Sequence, residues 1–240
     1  MNFRTEATKL KTEAPSKGEE LYVRAEVEIP GERVQPSVLL THGAGGNLHT
    51  PGLKALSAGL AEAGHLVLRA DLPYLAAGRK TRPAAEKSVD GFIALADDAR
   101  QKFGPEDAWV FGGRSYGGRV ASMAVASGLQ AAGLLLYSYP LHRPGKKSEL
   151  RVQHWPKVNV PSLFLEGTRD PFCDLELLRK HLGSLGAPAT VHVIPGAEHT
   201  LKVPAAHAES GKAQSEEVTV KSLIPVVTDW LRTLAQKGPH

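Results

Sequence analysis

At 240 residues the chain can bury one large core, and its 42% hydrophobic and 22% charged residues are ordinary for a soluble globular protein. A single cysteine, Cys173, excludes an intrachain disulfide and a cysteine-based zinc site, and it is compatible with a reducing compartment. The net charge of +4 raises the question of an acidic partner, but the basic residues are mostly dispersed and carry no aromatic-basic stacking pattern, which speaks against nucleic-acid binding.

In chain order, a polar, charged start precedes Leu21 to Ile29, whose apolar-polar alternation predicts an exposed edge strand closed by Pro30-Gly31. Val38 to Leu40 reads as a buried strand, Pro51 to Ala63 as a helix, and Leu66 to Ala70 as a strand. Between Pro83 and Lys102 lies a helix with Val89, Phe92, Ile93, Leu95 and Ala96 on its apolar side. A short strand over Trp109-Val110-Phe111 is followed by a small-residue helix over Arg119 to Ser127 and a strand over Gly133 to Tyr137. The strand of Pro161 to Gly167, a helix near Leu175 to Leu185, the strand of Thr190 to Ile194 and a helix near Val218 to Leu234 complete the order. Such alternation predicts an α/β fold over residues 1–240, a single domain whose mostly parallel sheet carries helices on both faces.

The stretch Gly112-Gly113-Arg114-Ser115-Tyr116-Gly117-Gly118 has the form Gly-x-Ser-x-Gly. Chance alone places that pattern in roughly one such chain in seven, so its surroundings decide. Here it joins a buried strand to a helix, the setting in which a serine sits on a tight, strained turn with its Oγ held out above the sheet. Two partners follow at strand ends: Asp170 in Thr168-Arg169-Asp170-Pro171 and His199 in Pro195-Gly196-Ala197-Glu198-His199. The order serine, acid, histidine is that of a nucleophile elbow with its acid and base on later loops. Thr41-His42-Gly43-Ala44-Gly45-Gly46-Asn47, a glycine-rich turn after an early strand, supplies backbone N–H groups for an oxyanion hole, with Tyr116 and Ala44 as donors and Gly43 and Gly45 beside them.

Several of these residues have duller readings. Asp170 precedes Pro171 and so suits a turn, in which case Asp174 is the nearest substitute acid. His199 is one of ten histidines, and it follows the last strand within a few residues and precedes the terminal helix. His42 reads as a prop for the oxyanion turn. His142 follows the strand after the elbow, where it either faces the cleft as a substrate-binding residue or serves the structure. Arg114, beside the nucleophile, either pairs with a buried acid or meets a substrate carboxylate. The basic clusters Arg79-Lys80-Thr81-Arg82 and Arg143-Pro144-Gly145-Lys146-Lys147 read as solvated loops, or as a cleft mouth that favours an anionic substrate.

These residues resemble the α/β-hydrolase fold across nearly the whole chain. A narrower resemblance is to the dienelactone-hydrolase-like branch that also contains a regulatory subunit of a nonspecific-lethal histone acetyltransferase complex and a testis-expressed relative. It rests on Thr41-His42-Gly43-Ala44-Gly45, Asp71-Leu72-Pro73-Tyr74, Gly78-Arg79-Lys80, the elbow through Arg119, Tyr139-Pro140-Leu141-His142, Gly167 to Phe172 and Ile194 to His199. The resemblance implies Ser115, Asp170 and His199 as nucleophile, acid and base. Where many members of the branch carry Met, this chain has Tyr116, a change without consequence for a residue used through its N–H.

The reaction expected is two-step acyl transfer on a small soluble ester, thioester or lactone, with no metal or organic cofactor. Only about twenty residues separate Tyr139 from Val160, too few and too polar for the helical cap of a lipase. Two alternatives remain: a non-catalytic scaffold on the same fold, and a peptidase, acyltransferase or cofactor-free haloperoxidase using the same elbow. No signal-peptide pattern is visible in residues 1–30 and no stretch reaches transmembrane length, so a cytoplasmic protein without membrane partners is expected.

Overall fold

The computed structural model describes residues 2–13 and 20–235. Eight strands form one sheet in the order β1-β2-β4-β3-β5-β6-β7-β8. They are β1 (Phe3–Glu13), β2 (Glu20–Pro30), β3 (Val34–Thr41), β4 (His65–Ala70), β5 (Trp109–Arg114), β6 (Gly133–Tyr137), β7 (Ser162–Gly167) and β8 (Ala189–Ile194). The pairs β1·β2 and β2·β4 are antiparallel; every other pair is parallel. The helices are α1 (Pro51–Glu62), α2 (Pro73–Ala76), α3 (Val89–Phe103), α4 (Tyr116–Ala126), α5 (Leu175–His181) and α6 (Glu216–Ala235).

The alternation of side chains along the parallel strands explains the two-layer core. Leu39, Phe111, Leu134, Leu136 and Phe164 point to one face, where Phe92, Leu95 and Val120 from α3 and α4 meet them. Val38, Leu40, Val110, Leu135 and Leu163 point to the other, under Leu53 and Leu56 of α1 and Leu223, Val227 and Leu231 of α6. Both helix layers are therefore dictated by near-continuous apolar strands that need cover on two sides.

Two expectations need correction. β2 is not the edge strand: β1 lies outside it, paired over the whole span from Phe3↔Pro30 to Glu13↔Glu20. β1 gave no apolar alternation because its inward side is held by only Leu10 and the buried Thr12, whose Oγ1 donates to Gly91 O at 2.6 Å. The elbow helix begins at Tyr116, not at Arg119, so the glycines are inside its first turn.

The connection from β6 to β7, residues 138–161, contains a 3-10 turn at Trp155–Lys157 and an isolated bridge between Arg143 and Lys146, but no longer helix or strand. It is anchored rather than lid-like: Trp155 is fully buried against Tyr139 and Phe164. No helix among the described residues is long and apolar enough to cross a membrane.

Candidate active site

β5 and α4 meet at Ser115, whose φ of 50° and ψ of −109° lie in territory that costs an L-residue conformational energy. The surroundings hold it there. Ser115 N–H donates to Tyr137 O at 2.9 Å, and its own carbonyl accepts the first hydrogen bond of the helix, from Arg119 N–H at 3.0 Å. Gly113, at φ 147°, passes so close to the Thr41 backbone that a Cβ would overlap it. At Gly117 a Cβ would fall 2.5 Å from Thr41 Oγ1 and 2.6 Å from His42 O. The two glycines thus let α4 start directly against the end of β3.

Asp170 and His199 arrive on loops after β7 and β8 that are tied to each other. Arg169 N–H donates to Ala197 O at 2.9 Å, and Gly196 N–H to Thr168 Oγ1 at 2.8 Å. Asp170 Oδ2 lies 2.6 Å from His199 Nδ1, and His199 Nε2 lies 2.8 Å from Ser115 Oγ. Because a carboxylate accepts, Nδ1 carries the imidazole proton and Nε2 is left to accept from the serine hydroxyl. The Asp170 side chain is fully buried, while that of His199 keeps 18% of its surface at the cleft. The Asp-Pro turn is present as well: Asp170 Oδ1 accepts Phe172 N–H at 2.7 Å. Asp174, the substitute acid, is engaged elsewhere, capping α5 through Glu176 N–H and Leu177 N–H and pairing with Lys147.

The glycine-rich turn lies across the elbow. A Cβ on Gly43 would stand 3.5 Å from Ser115 Cβ, and Gly43 and Ala44 both line the cleft. Tyr116 is the first residue of α4, so its N–H has no intrahelical acceptor. Its hydroxyl is turned inward to Ser88 Oγ and Pro83 O, leaving the backbone as its contribution to the cleft. Gly45 is exposed and does not line the cleft.

His42 is fully buried beneath this turn. Its Nε2 accepts Leu72 N–H at 3.1 Å, so Nδ1 bears the proton donated to Gly43 O at 2.8 Å; burial lowers its pKa and keeps it neutral. Beside it Asp71, gripped by Arg24, accepts Leu48 N–H at 2.9 Å and pins the far end of the turn. His142 is likewise spent on structure: Nε2 accepts Asp174 N–H at 3.1 Å and Nδ1 faces Arg143 O at 2.9 Å, away from the cleft lining. Arg114 lines the cleft and places Nε 3.8 Å from Glu216 Oε1, a carboxyl whose pKa burial raises.

The cleft has a volume of about 240 Å³. Besides the predicted residues its walls carry Arg82, Arg119, Pro140, Arg151 and Phe172. The Phe172 ring lies over His199, centroids 4.3 Å apart at 35°. Arg82 belongs to the basic cluster that the sequence offered as a cleft mouth; no sequence signal singled out the other four, since each depends on how separate loops converge. Among the described residues no group of three or more His, Cys, Asp or Glu side chains is placed to hold a metal ion.

Residues 34–226 match the model of a family described as an alpha/beta hydrolase domain. The chain belongs to that family. Among solved structures, this α/β hydrolase is similar to dienelactone hydrolase from Anabaena variabilis, at 18% identity and a TM-score of 0.72 over 97% of this chain and 99% of that one. It is also similar to an α/β serine hydrolase without lid from Xanthomonas campestris, with 18% identity and a TM-score of 0.63 over 98% and 96% of the two chains. An esterase from Pyrococcus furiosus matches with 13% identity and a TM-score of 0.69 over 97% and 91%. At these identities the likeness is one of fold.

Proposed function

We propose that this α/β hydrolase is a serine hydrolase acting on small soluble esters, thioesters or lactones through an acyl-enzyme on Ser115. The observation that carries the reading is the unbroken relay from Ser115 Oγ to His199 Nε2 and from His199 Nδ1 to Asp170 Oδ2, set on a strained elbow. In the first step the Ser115 proton passes to Nε2 as Oγ bonds to the carbonyl carbon; the alcohol, thiol or lactone oxygen leaves with that proton. In the second, water gives a proton to Nε2 and its oxygen to the acyl carbon, releasing the acid and restoring the serine. Asp170 fixes the tautomer and stabilises the imidazolium without taking the proton. The N–H groups of Tyr116 and Ala44 face the developing oxyanion, each worth about 3 kcal/mol by comparison with donors removed from other enzymes. The short, anchored β6–β7 connection and a cleft of about 240 Å³ suit a small substrate in an open site.

The motifs around the elbow and the two loops support placement in the dienelactone-hydrolase-like branch. The test is intact-mass detection of labelling by a neutral alkyl fluorophosphonate, in which Oγ displaces fluoride. One adduct on the parent, lost in Ser115→Ala and slowed in His199→Ala, is expected; a well-folded parent that takes no label overturns the proposal.

A further inference from the structure

Three guanidinium groups converge on one wall of the cleft from separate parts of the chain. Arg119 comes from α4, one turn beyond Ser115; Arg82 precedes the 3-10 turn at Ala85–Ser88; Arg151 comes from the β6–β7 connection. Their internal commitments are few. Arg119 Nη2 meets Glu86 Oε1 at 2.7 Å, while its Nε is buried without a hydrogen-bond partner. Arg82 sits 4.8 Å above the Tyr116 ring and donates only a long 3.4 Å bond to Pro83 O; Arg151 donates to Pro140 O at 3.2 Å. Among the described residues neither Arg82 nor Arg151 pairs with a carboxylate. Glu86 is the one acid among the described residues bonded to the trio, so three positive charges face a single negative one there.

Such a wall is costly without an occupant where its charges are drawn from water, as those of Arg119 and the half-buried Arg151 are, while Arg82 is exposed at its rim. Burial first, and then the charges of Arg119, Arg82 and Arg143, pull the Arg151 guanidinium below its ordinary pKa. A merely solubilising arginine would extend into water, whereas the Arg119 side chain is only 16% exposed. Arg114 is a separate case, already facing Glu216.

We infer that Arg82, Arg119 and Arg151 form a subsite for a phosphate dianion carried by the substrate beside its scissile carbonyl. The excess of two positive charges matches a dianion, and three forks from three directions suit tetrahedrally arranged oxygens better than the single planar clamp that a carboxylate takes. That the dianion belongs to a substrate rests on the serine-hydrolase proposal; the anion site rests on the arginines alone.

The test compares aryl esters with matched acyl chains ending in methyl, carboxylate or phosphonate, alongside fluorophosphonate labelling and calorimetry with inorganic phosphate. At low ionic strength the phosphonate ester is expected to exceed both others in kcat/KM by tenfold or more. Arg82→Gln and Arg151→Gln should each cut the phosphonate-to-methyl ratio about tenfold, while Arg179→Gln, exposed on α5, leaves it unchanged. Equal turnover of the three esters by labelled, active protein overturns the subsite and leaves the hydrolase standing; so does a preference for the carboxylate. Phosphate binding that the two arginine variants lose, in a protein that neither labels nor turns over esters, upholds the site and removes the hydrolase. Absence of phosphate binding and of turnover overturns both.

Discussion

Asp170 holds His199 with one carboxylate oxygen and its own loop with the other. Oδ2 is 2.6 Å from His199 Nδ1, and Oδ1 accepts Phe172 N–H at 2.7 Å. This division of labour dictates what an amide would do. In Asp170→Asn the carbonyl oxygen must stay on Phe172 N–H, which turns the NH2 group toward His199. Nδ1 would then have to accept, the imidazole proton would move to Nε2, and Nε2 could no longer take the Ser115 proton. On the proposed mechanism kcat falls by about four orders of magnitude with little change in stability. Ester kinetics paired with urea unfolding check this, and a loss below tenfold would remove Asp170 from the relay.

Gly117 is the second position where the site has no spare room. An added Cβ would press on Thr41 Oγ1 and the His42 carbonyl, the start of the glycine-rich turn proposed to hold the oxyanion. Gly117→Ala should therefore part α4 from that turn and displace the N–H groups of Tyr116 and Ala44. Expected is a fall in kcat of at least tenfold with KM changed far less, since transition-state contacts are the ones misplaced. Comparable rises in KM without loss of kcat would mean that the turn binds substrate rather than oxyanion.

What could be read from the sequence follows from how local each signal is. The parallel strands β3 to β7 were legible because their central residues are buried on both faces, so each is a short apolar run between breakers, whereas the half-buried edge strand β8 was legible from its β-branched Thr190, Val191, Val193 and Ile194. The elbow, Asp170, His199 and the glycine-rich turn were legible because each lies at a strand end within a few residues of its own glycine or proline. β1 was missed because its outer face is polar and little of its inner face is apolar. The cleft-facing roles of Arg119, Arg151 and Phe172 were missed for a different reason: nothing local distinguishes them from surface residues until the β6–β7 connection and the loop after β7 close around Ser115. His142 shows the converse, a residue well placed in sequence whose two ring nitrogens are consumed by the backbone.

Phe172 covers His199 with centroids 4.3 Å apart, limiting the ring's rotation about its Asp170 bond and shielding that bond from water. Phe172→Ala should leave Ser115, His199 and Asp170 chemically intact yet loosen the imidazole. A drop in kcat of about tenfold is expected, and Phe172→Leu should recover part of it by restoring bulk without the aromatic face. Fluorophosphonate labelling rates give an independent readout, expected to fall in the same order. Unchanged rates in Phe172→Ala would show that Asp170 alone orients the histidine.

Glu166 makes the pH dependence of stability testable near the site. It is wholly buried at the end of β7, with Oε1 accepting Tyr139 N–H at 2.5 Å. Burial, reinforced by the negative charge of Asp170, raises its pKa well above the ordinary value of 4.5. The folded protein therefore keeps this proton over a pH range in which the unfolded chain has released it. With more protons bound to the native state, stability must fall as pH rises above 4.5, by at most about 1.4 kcal/mol per unit from this group, until the folded pKa is passed. Glutamine copies the protonated carboxyl in shape, can still accept from Tyr139 N–H and has no proton to lose. Glu166→Gln should thus match the parent in unfolding free energy near pH 4.5 and exceed it progressively at pH 6 and pH 8. Urea unfolding at the three pH values decides the matter: a difference between variant and parent that does not change with pH would mean that Glu166 is already ionised in the folded protein, with Tyr139 N–H and its surroundings stabilising the charge.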